Sequence, residues 1–270
     1  MATEIVELPD GIARTLRRKD DDGVTTLTLN RPKSGNSLSH RLVHELQDTL
    51  DEIRDDRSVR VVVLAAAGRL FCTGHDLNES VEAMKTPETK REATATCSRM
   101  MQSLIGLPQP VIAKVHSIAT AAGCELVASC DLVYASSESK FATPGVNIGF
   151  WCHSPQVAVS RAVAPKHAMQ MLLTGKLMDA ETAFRMGLVS EVVPHDKLNE
   201  RVDEVARHIA SKSAYAIAQG KRSFYRQLEM DRGDAYDYVG EVIYRTIQAD
   251  DAREGITAFL EKRDPSWQDS

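Results

Sequence analysis

Residues 111–135 read VIAKVHSIATAAGCELVASCDLVYA. The apolar run at 111–115 predicts a buried strand, and residues 132–135 predict a second one. Between them, five small residues at 119–123 precede a short helical segment that carries Glu125. The pattern therefore predicts an open surface at the point where a helix begins.

The chemistry of that helix start follows from its backbone. The first N–H groups of a helix have no intrahelical acceptor, and the aligned peptide dipoles add partial positive charge. Because Ala122 and Gly123 carry no bulky side chain, a ligand oxygen could approach their N–H groups directly. Glu125 lies about one helical turn away, and a carboxylate beside an oxyanion site suits proton transfer next to a carbonyl. The alternative is a solvated glutamate beside small residues that serve only close packing.

Composition restricts the class of protein. The chain has 270 residues, of which 43% are hydrophobic, which suffices for one large domain or two small ones. No apolar run approaches the roughly 20 residues of a membrane helix, and the start MATEIVELPDG resembles neither a signal nor a transit peptide. The net charge of −5 argues against nucleic acid as the main partner. We therefore expect a soluble globular protein with no membrane or nucleic-acid partner.

The five cysteines indicate reduced thiols. Their number is odd, they form no C-x-x-C motif, and no histidine stands at zinc-like spacing from a pair of them. We therefore predict a cytoplasmic location and no metal site. Cys124 and Cys130 are predicted to lie in the core, whereas Cys72 and Cys152 border the candidate site.

The order of the predicted elements indicates an α/β core followed by a helical C-terminal region. Phe71 is predicted to be exposed in the loop 68–80, and Asp131 to be a structural acceptor at a strand start. The C-terminal helices must bury their apolar faces on the core or on another subunit. The predicted elements are a hairpin at 12–19 and 24–30, strands at 60–67, 111–115, 132–135 and 188–193, a short strand from 140, and helices at 39–55, 89–106, from 155, from 165, 195–212, 214–231, 234–248 and 250–263.

Two strand-to-helix turns, 68-GRLFCTGHDL-77 and 116-HSIATAAGCELVASCDLVYA-135, together resemble the crotonase (enoyl-CoA hydratase/isomerase) superfamily. The similarity runs nearly end to end, through NRPKSGNSLS, FATPGVNIG, MLLTGKLMDAETAFRMGLVSEVVP and EGITAFLEKRDPSW. The TPGVN and FWCHSP features most resemble the subgroup of enoyl-CoA hydratase domain-containing protein 3. The resemblance implies a spiral core of ββα units at 1–195 and a helical trimerisation region at 196–270. It also implies a homotrimer or a hexamer made of two trimers.

The resemblance also implies a site. Two backbone N–H groups, by position those of His75 and Ala122, are expected to hold the thioester oxygen of an acyl-CoA and to stabilise its enolate. Glu125 matches a glutamate that acts as general acid/base, and coenzyme A enters only as part of the substrate, with no permanently bound cofactor. Arg69 and Lys262 match cations near the nucleotide, although each could be an ordinary surface charge. The pocket residues expected by resemblance are Arg69, Gly74, Asp76, Leu77, Gly123, Gly145, Trp151, His153 and Lys262.

One departure from the family pattern concerns the second catalytic glutamate. The P-E-x-x-x-G turn is replaced by PGVNIG, so Gly145 stands where the second carboxylate is expected, and the following FWCHS segment is one residue shorter. Loss of one acid/base partner commonly costs about 10²- to 10⁴-fold in rate. His153 could act as a base in its place, or it could be a helix-entry residue packed against Trp151.

The sequence thus favours an enoyl-CoA hydratase of fatty-acid metabolism with Glu125 as general acid/base. An enoyl-CoA isomerase, an acyl-CoA decarboxylase and a thioesterase remain open, because all of them use an oxyanion site. A weakly active CoA-ester binding protein is a further alternative that Gly145 raises. RNA binding is disfavoured by the acidic balance.

Overall fold

A six-stranded sheet forms the centre of the fold in the computed structural model, which describes residues 14–83 and 85–270. Its strand order is β1-β2-β3-β4-β6-β9. The first two strands form the predicted antiparallel hairpin, whose turn is 20-DDDG-23, and the other neighbouring pairs of this sheet are parallel. Positions 12 and 13 of the predicted hairpin lie outside the described residues. The strands of both sheets are β1 (Leu16–Asp21), β2 (Val24–Leu29), β3 (Val61–Ala66), β4 (Val111–Val115), β5 (Ala119–Thr120), β6 (Leu132–Ser136), β7 (Lys140–Ala142), β8 (Met178–Asp179) and β9 (Glu191–Val193).

A second sheet of three short strands, in the order β5-β7-β8, accompanies the first. The chain gives one strand to each sheet in turn, since β4 is followed by β5 and β6 by β7. An isolated parallel bridge between Cys72 and Ala119 continues the pattern back to β3, and another joins Leu38 to His75. This alternation produces the repeated ββα units that the resemblance implies.

Eleven α-helices complete the described part of the chain. Ser39 caps α1, because its hydroxyl accepts a bond from the Leu42 N–H at 3.2 Å. The helix α3 begins at Pro87, two residues before the predicted start, since proline is well suited to the first helical position. The helices are α1 (His40–Asp55), α2 (Leu77–Ala83), α3 (Pro87–Gly106), α4 (Ala122–Ala128), α5 (Pro155–Ala162), α6 (Pro165–Thr174), α7 (Ala180–Met186), α8 (Leu198–Ala210), α9 (Ala214–Gln227), α10 (Arg232–Thr246) and α11 (Asp250–Glu261).

The large sheet is buried on both faces. Val62 and Leu64 of β3 belong to the main core with α1, α3 and α4, whereas Val61 and Val63 pack in a second cluster with α8. Such two-sided burial explains why β3 is a continuous apolar run. The prediction for Phe71 is wrong, because its side chain is fully buried in the main core beneath the turn.

The C-terminal helices are joined to the core by a partly buried ion pair. Lys221 of α9 lies 2.7 Å from Asp131, which also accepts bonds from the Tyr225 hydroxyl and the Val111 N–H. Asp131 is therefore the structural acceptor predicted from its place before β6. The helix α8 covers one face of the large sheet. The predicted boundary between the spiral core and the trimerisation region, at 195/196, stays a prediction. No helix in the described ranges has the length and apolarity needed to cross a membrane.

Candidate active site

The turn at Gly74–Asp76 lies against the start of α4. A Cβ built on Gly74 would lie 2.8 Å from the Ala121 Cβ and 3.2 Å from the Ala122 nitrogen. Gly74 also has a φ of +95°, a conformation that side chains rarely tolerate. The two segments that carry the predicted donors, at His75 and Ala122, are thus in direct contact, and only glycine fits at position 74.

Strain and close packing mark the start of α4. Ala121 adopts φ 51° and ψ −124°, outside the regions that non-glycine residues usually populate. Its N–H donates to Ala142 O at 2.9 Å, so β7 holds this residue in place. Gly123 packs against the turn that contains Cys72. A Cβ added to Gly123 would lie 2.8 Å from the Cys72 Cβ. The sequence showed the small residues but gave no signal for the strained backbone.

Glu125 is buried in the first turn of α4, with a relative exposure of 3%. Its Oε1 accepts a hydrogen bond of 2.5 Å from the Ser154 hydroxyl. Its Oε2 is buried and has no hydrogen-bond partner among the described residues. Burial raises the pKa of this carboxyl to about 7, and the bond from Ser154 opposes the shift. At neutral pH the group can therefore either accept or release a proton.

Gly145 is buried under the segment that follows it. A Cβ at this position would lie 2.6 Å from Phe150 O and 3.0 Å from Cys152 Sγ. The Gly145 N–H donates to Cys152 Sγ at 3.3 Å, and its carbonyl accepts from the Phe150 N–H at 3.0 Å. The shortened segment thus fills the space that a side chain at 145 would need.

Trp151 and His153 belong to the same segment. The Trp151 indole donates to Gln156 Oε1 at 2.7 Å, which fixes it at the start of α5. The His153 ring is exposed and packs edge-on against Phe150, with 5.7 Å between the ring centroids. Its backbone N–H donates to Trp151 O at 2.8 Å.

Asp76 and Leu77 differ in their surroundings. The Asp76 carboxylate pairs with Arg31 at 3.0 Å and accepts bonds from the Ser37 hydroxyl and the Asn78 N–H. The pKa of Asp76 is lowered by Arg31, against the opposing effect of burial. Its side chain therefore joins the segment after β2 to the start of α2. Leu77 is 59% exposed and could contact a ligand.

The remaining predicted residues lie at the surface. Arg69 is exposed in the loop after β3, and Lys262 is exposed at the end of α11, where it adopts φ 56°. The His75 ring is exposed as well, and its Nε2 lies 3.3 Å from Cys97 Sγ. The structure brings together positions 74, 122, 125 and 145 through direct contacts or shared neighbours.

The five cysteines are buried. Burial raises the pKa of the Cys72 and Cys124 thiols to about 12 and also raises the pKa of Cys152. These thiols are therefore neutral at physiological pH, and the structure does not support reactivity at Cys72 or Cys152.

Two surface pockets lie away from these residues. One, of about 360 Å³, is lined by side chains of α3, and the other, of about 200 Å³, lies between the end of α1 and the start of α9. Neither is lined by Glu125. The chemistry of the buried carboxyl thus identifies the candidate site.

Sequence reasoning missed Ser154. A serine before proline at the start of a helix is usually an N-cap, yet Ser154 makes no side-chain capping bond and donates to Glu125 instead. No local pattern could reveal this contact, because the two residues are 29 positions apart.

Comparisons with known proteins agree with the fold and the motifs. The family model for enoyl-CoA hydratase/isomerase matches residues 19–270. Human enoyl-CoA hydratase domain-containing protein 3, mitochondrial, is 43% identical over 91% of this chain and 81% of its own length. The mitochondrial enoyl-CoA hydratase of Pongo abelii is 32% identical over 94% of this chain and 86% of its own. A crystal structure of an enoyl-CoA hydratase from Mycobacterium smegmatis superimposes with a TM-score of 0.91 and 44% identity, over 94% of this chain and 98% of the other.

The predicted crotonase-type fold and the resemblance to the domain-containing protein 3 subgroup are thus confirmed. The chain belongs to the enoyl-CoA hydratase/isomerase family.

Proposed function

We propose that the protein is an acyl-CoA enzyme that hydrates 2-trans-enoyl-CoA to 3-hydroxyacyl-CoA, with Glu125 as general acid/base. One observation carries the proposal: a carboxyl with a pKa of about 7 is buried in the helix turn that follows the candidate oxyanion site. Groups that titrate near the working pH are the best proton-transfer catalysts. The hydratase names of relatives at 32% and 44% identity support the same reaction.

The oxyanion site consists of the N–H groups of His75 and Ala122. Both bind the thioester oxygen, where negative charge develops as the enolate forms. Each such donor is worth roughly 10²- to 10³-fold in rate. The close approach of Gly74 to the start of α4, where an added Cβ would lie 3.2 Å from the Ala122 nitrogen, supports this assignment, because it fixes the spacing of the two segments before a ligand binds.

In hydration, Glu125 accepts a proton from water as the water oxygen bonds to the β carbon of the enoyl group. The electrons of the double bond move onto the thioester oxygen as the enolate. Glu125 then returns the proton to the α carbon, which restores the thioester and the ionised carboxylate. One carboxyl can perform both transfers in sequence.

Isomerisation of 3-enoyl-CoA is the second candidate, and Gly145 favours it. Glu125 would move a proton from the α carbon to the γ carbon, which requires one carboxylate and no water. The packing of Phe150 and Cys152 on Gly145 leaves no room for a second acid at this position.

The coenzyme A part of the substrate is assigned to the predicted pocket residues. We propose that Gly74, Leu77 and Gly123 line the thioester end with the Asp76 backbone, and that Gly145 and Trp151 bound the acyl end beside His153. Arg69 and Lys262 would contact the phosphates. Their exposure supports this role, because a multiply charged anion must be reached from solvent.

The assembly is proposed to be a homotrimer or a hexamer. Exposed apolar side chains on α10 and at its C-cap support this, namely Tyr236, Ile243 and Tyr244 on the helix and Ile247 at the cap. The cytoplasmic location remains a prediction, whereas the human relative is named as mitochondrial; cell fractionation decides between the compartments.

The test is a spectrophotometric assay with crotonyl-CoA, longer 2-enoyl-CoAs and 3-enoyl-CoAs. We expect Glu125→Gln to lower kcat by about 10²-fold or more. Glu181→Gln is the matched control, because Glu181 stands in the first turn of another seven-residue helix and is exposed.

Failure of the wild type to convert any acyl-CoA, or full activity of Glu125→Gln, would refute the proposal. Tight acyl-CoA binding by calorimetry without product would instead favour the binding-protein alternative.

A further inference from the structure

We infer that Ser154 is a positioning residue, which orients the Glu125 carboxylate in a site that lacks the second glutamate. The bond from Ser154 to Oε1 leaves Oε2 as the proton-transfer oxygen. The inference rests on the acyl-CoA chemistry proposed above and names a residue that the family pattern does not predict. Its basis is the asymmetry between the two oxygens of Glu125.

The hydroxyl of Ser154 is committed to Glu125. A serine hydroxyl has one proton to donate, and here it is donated to Oε1 at 2.5 Å. The usual use of a serine at this position is to cap the helix, but Ser154 makes no side-chain cap bond to α5. The bond to Glu125 is therefore its main polar contact in the described structure.

The other carboxylate oxygen differs. Oε2 is buried and has no hydrogen-bond partner within the described residues. A bond to one oxygen restrains rotation of the carboxylate, so the two oxygens do not exchange roles freely. Oε2 keeps its lone pairs available for a proton of the substrate or of water.

Gly145 makes this contact possible. The segment 150–154 folds over Gly145 through bonds at Phe150 and Cys152, and this leads the chain to Ser154 above α4. A side chain at 145 would collide with the same segment, 2.6 Å from Phe150 O. A carboxylate at 145 and the bond from Ser154 to Glu125 are therefore mutually exclusive unless the segment moves.

The hydrogen bond from Ser154 lowers the pKa of Glu125. Burial raises the pKa of Glu125, and the Ser154 bond lowers it because it stabilises the ionised form. The titratable neighbours are the Cys124 thiol on the same helix and the Cys152 thiol before α5, and burial raises the pKa of both. Both thiols are neutral between pH 5 and 8, so neither of them titrates together with Glu125 in this range.

The experiment measures exchange of the α protons of butyryl-CoA with deuterated water by NMR, from pH 5 to 9. Proton abstraction requires ionised Glu125, so loss of the Ser154 bond moves the rise in rate to higher pH. We expect Ser154→Ala to be about ten-fold slower than wild type at pH 6, as befits one hydrogen bond to a charged group. The deficit should shrink above pH 8.

Two variants keep the result specific. Ser154→Thr retains the hydroxyl and should restore most of the wild-type profile. Ser160→Ala removes an exposed serine from the same helix and should leave the profile unchanged. A loss of rate in Ser154→Ala that is equal at every pH, or an unshifted profile, would overturn the inference but leave the proposed function intact.

Absence of exchange in the wild type would count against the proposed function. Ser154 is then tested by carbon-13 NMR titration of the Glu125 carboxyl, whose signal Glu125→Gln identifies. A higher midpoint in Ser154→Ala supports the inference, and equal midpoints contradict it.

Discussion

Glu125 and Glu181 each stand in the first turn of a seven-residue helix, yet of the two only Glu125 is buried. A first-turn glutamate is ordinarily solvated and stabilised by the helix dipole, as Glu181 is. Burial instead penalises the ionised form of Glu125 and brings its pKa to about 7. Position in a helix alone therefore does not identify a catalytic carboxyl.

The pKa of Glu125 predicts a cost in stability. Because the folded-state pKa is raised from 4.5 to about 7, the stabilising contribution of the proton is complete below about pH 4.5 and is lost as the pH rises through 7. At pH 8 the buried charge costs on the order of 3 kcal/mol. Glu125→Gln should therefore be more stable than wild type at pH 8 and nearly equal at pH 4.5, as measured by urea unfolding. An equal difference at both pH values would contradict this account.

Gly145 gives a second prediction for a single residue. Gly145→Ala should lower the free energy of unfolding by about 1–3 kcal/mol, because the added Cβ overpacks the segment 150–152. Gly106→Ala is the control, since a Cβ there meets no atom of the described residues within 4 Å. Gly145→Glu should disrupt the site and should not increase hydration. A stable Gly145→Glu variant with faster hydration would show that the segment moves easily.

At the scale of elements, α9 depends on the ion pair between Lys221 and Asp131. Replacement of Lys221 leaves the partly buried Asp131 carboxylate with the Tyr225 hydroxyl and the Val111 N–H as its donors among the described residues. Lys221→Met should therefore lower the free energy of unfolding by about 3–5 kcal/mol. The control Arg222→Met changes an exposed neighbour and should alter it by less than about 0.5 kcal/mol. Equal effects in urea unfolding would show that α9 is held by its apolar contacts instead.

The longer elements could be predicted from the sequence because their signals are local. The apolar run of β3, the Ser39 cap of α1 and the small residues before α4 fixed these elements to within about two residues, the usual uncertainty of helix ends. The strand β8 has two residues, too few for any periodicity. The bond between Ser154 and Glu125 depends on chain folding, and so does the burial of Phe71, because its loop has no periodic pattern that separates buried from exposed side chains.

At the scale of the molecule, the exposed apolar side chains of α10 predict an oligomer. Ile243 is 60% exposed and Tyr236 is 76% exposed in the single chain. Sedimentation of the wild type should give the mass of three or six chains. Ile243→Asp should shift it toward one chain, because a charge at an apolar contact is costly. Lys33→Asp, on an exposed turn, is the control; an unchanged mass for Ile243→Asp would remove α10 from the interface.

The packing of Gly123 against Cys72 has an implication for how new specificities arise in this scaffold. Two turns in such close contact cannot slide past one another, so mutations can hardly change the distance between the His75 and Ala122 amides. Selection for other acyl groups would then act on the walls of the proposed acyl site, which the residues after Gly145 form. Libraries randomised in those walls should yield altered chain-length preference, whereas substitutions at Gly123 should yield mainly misfolded protein.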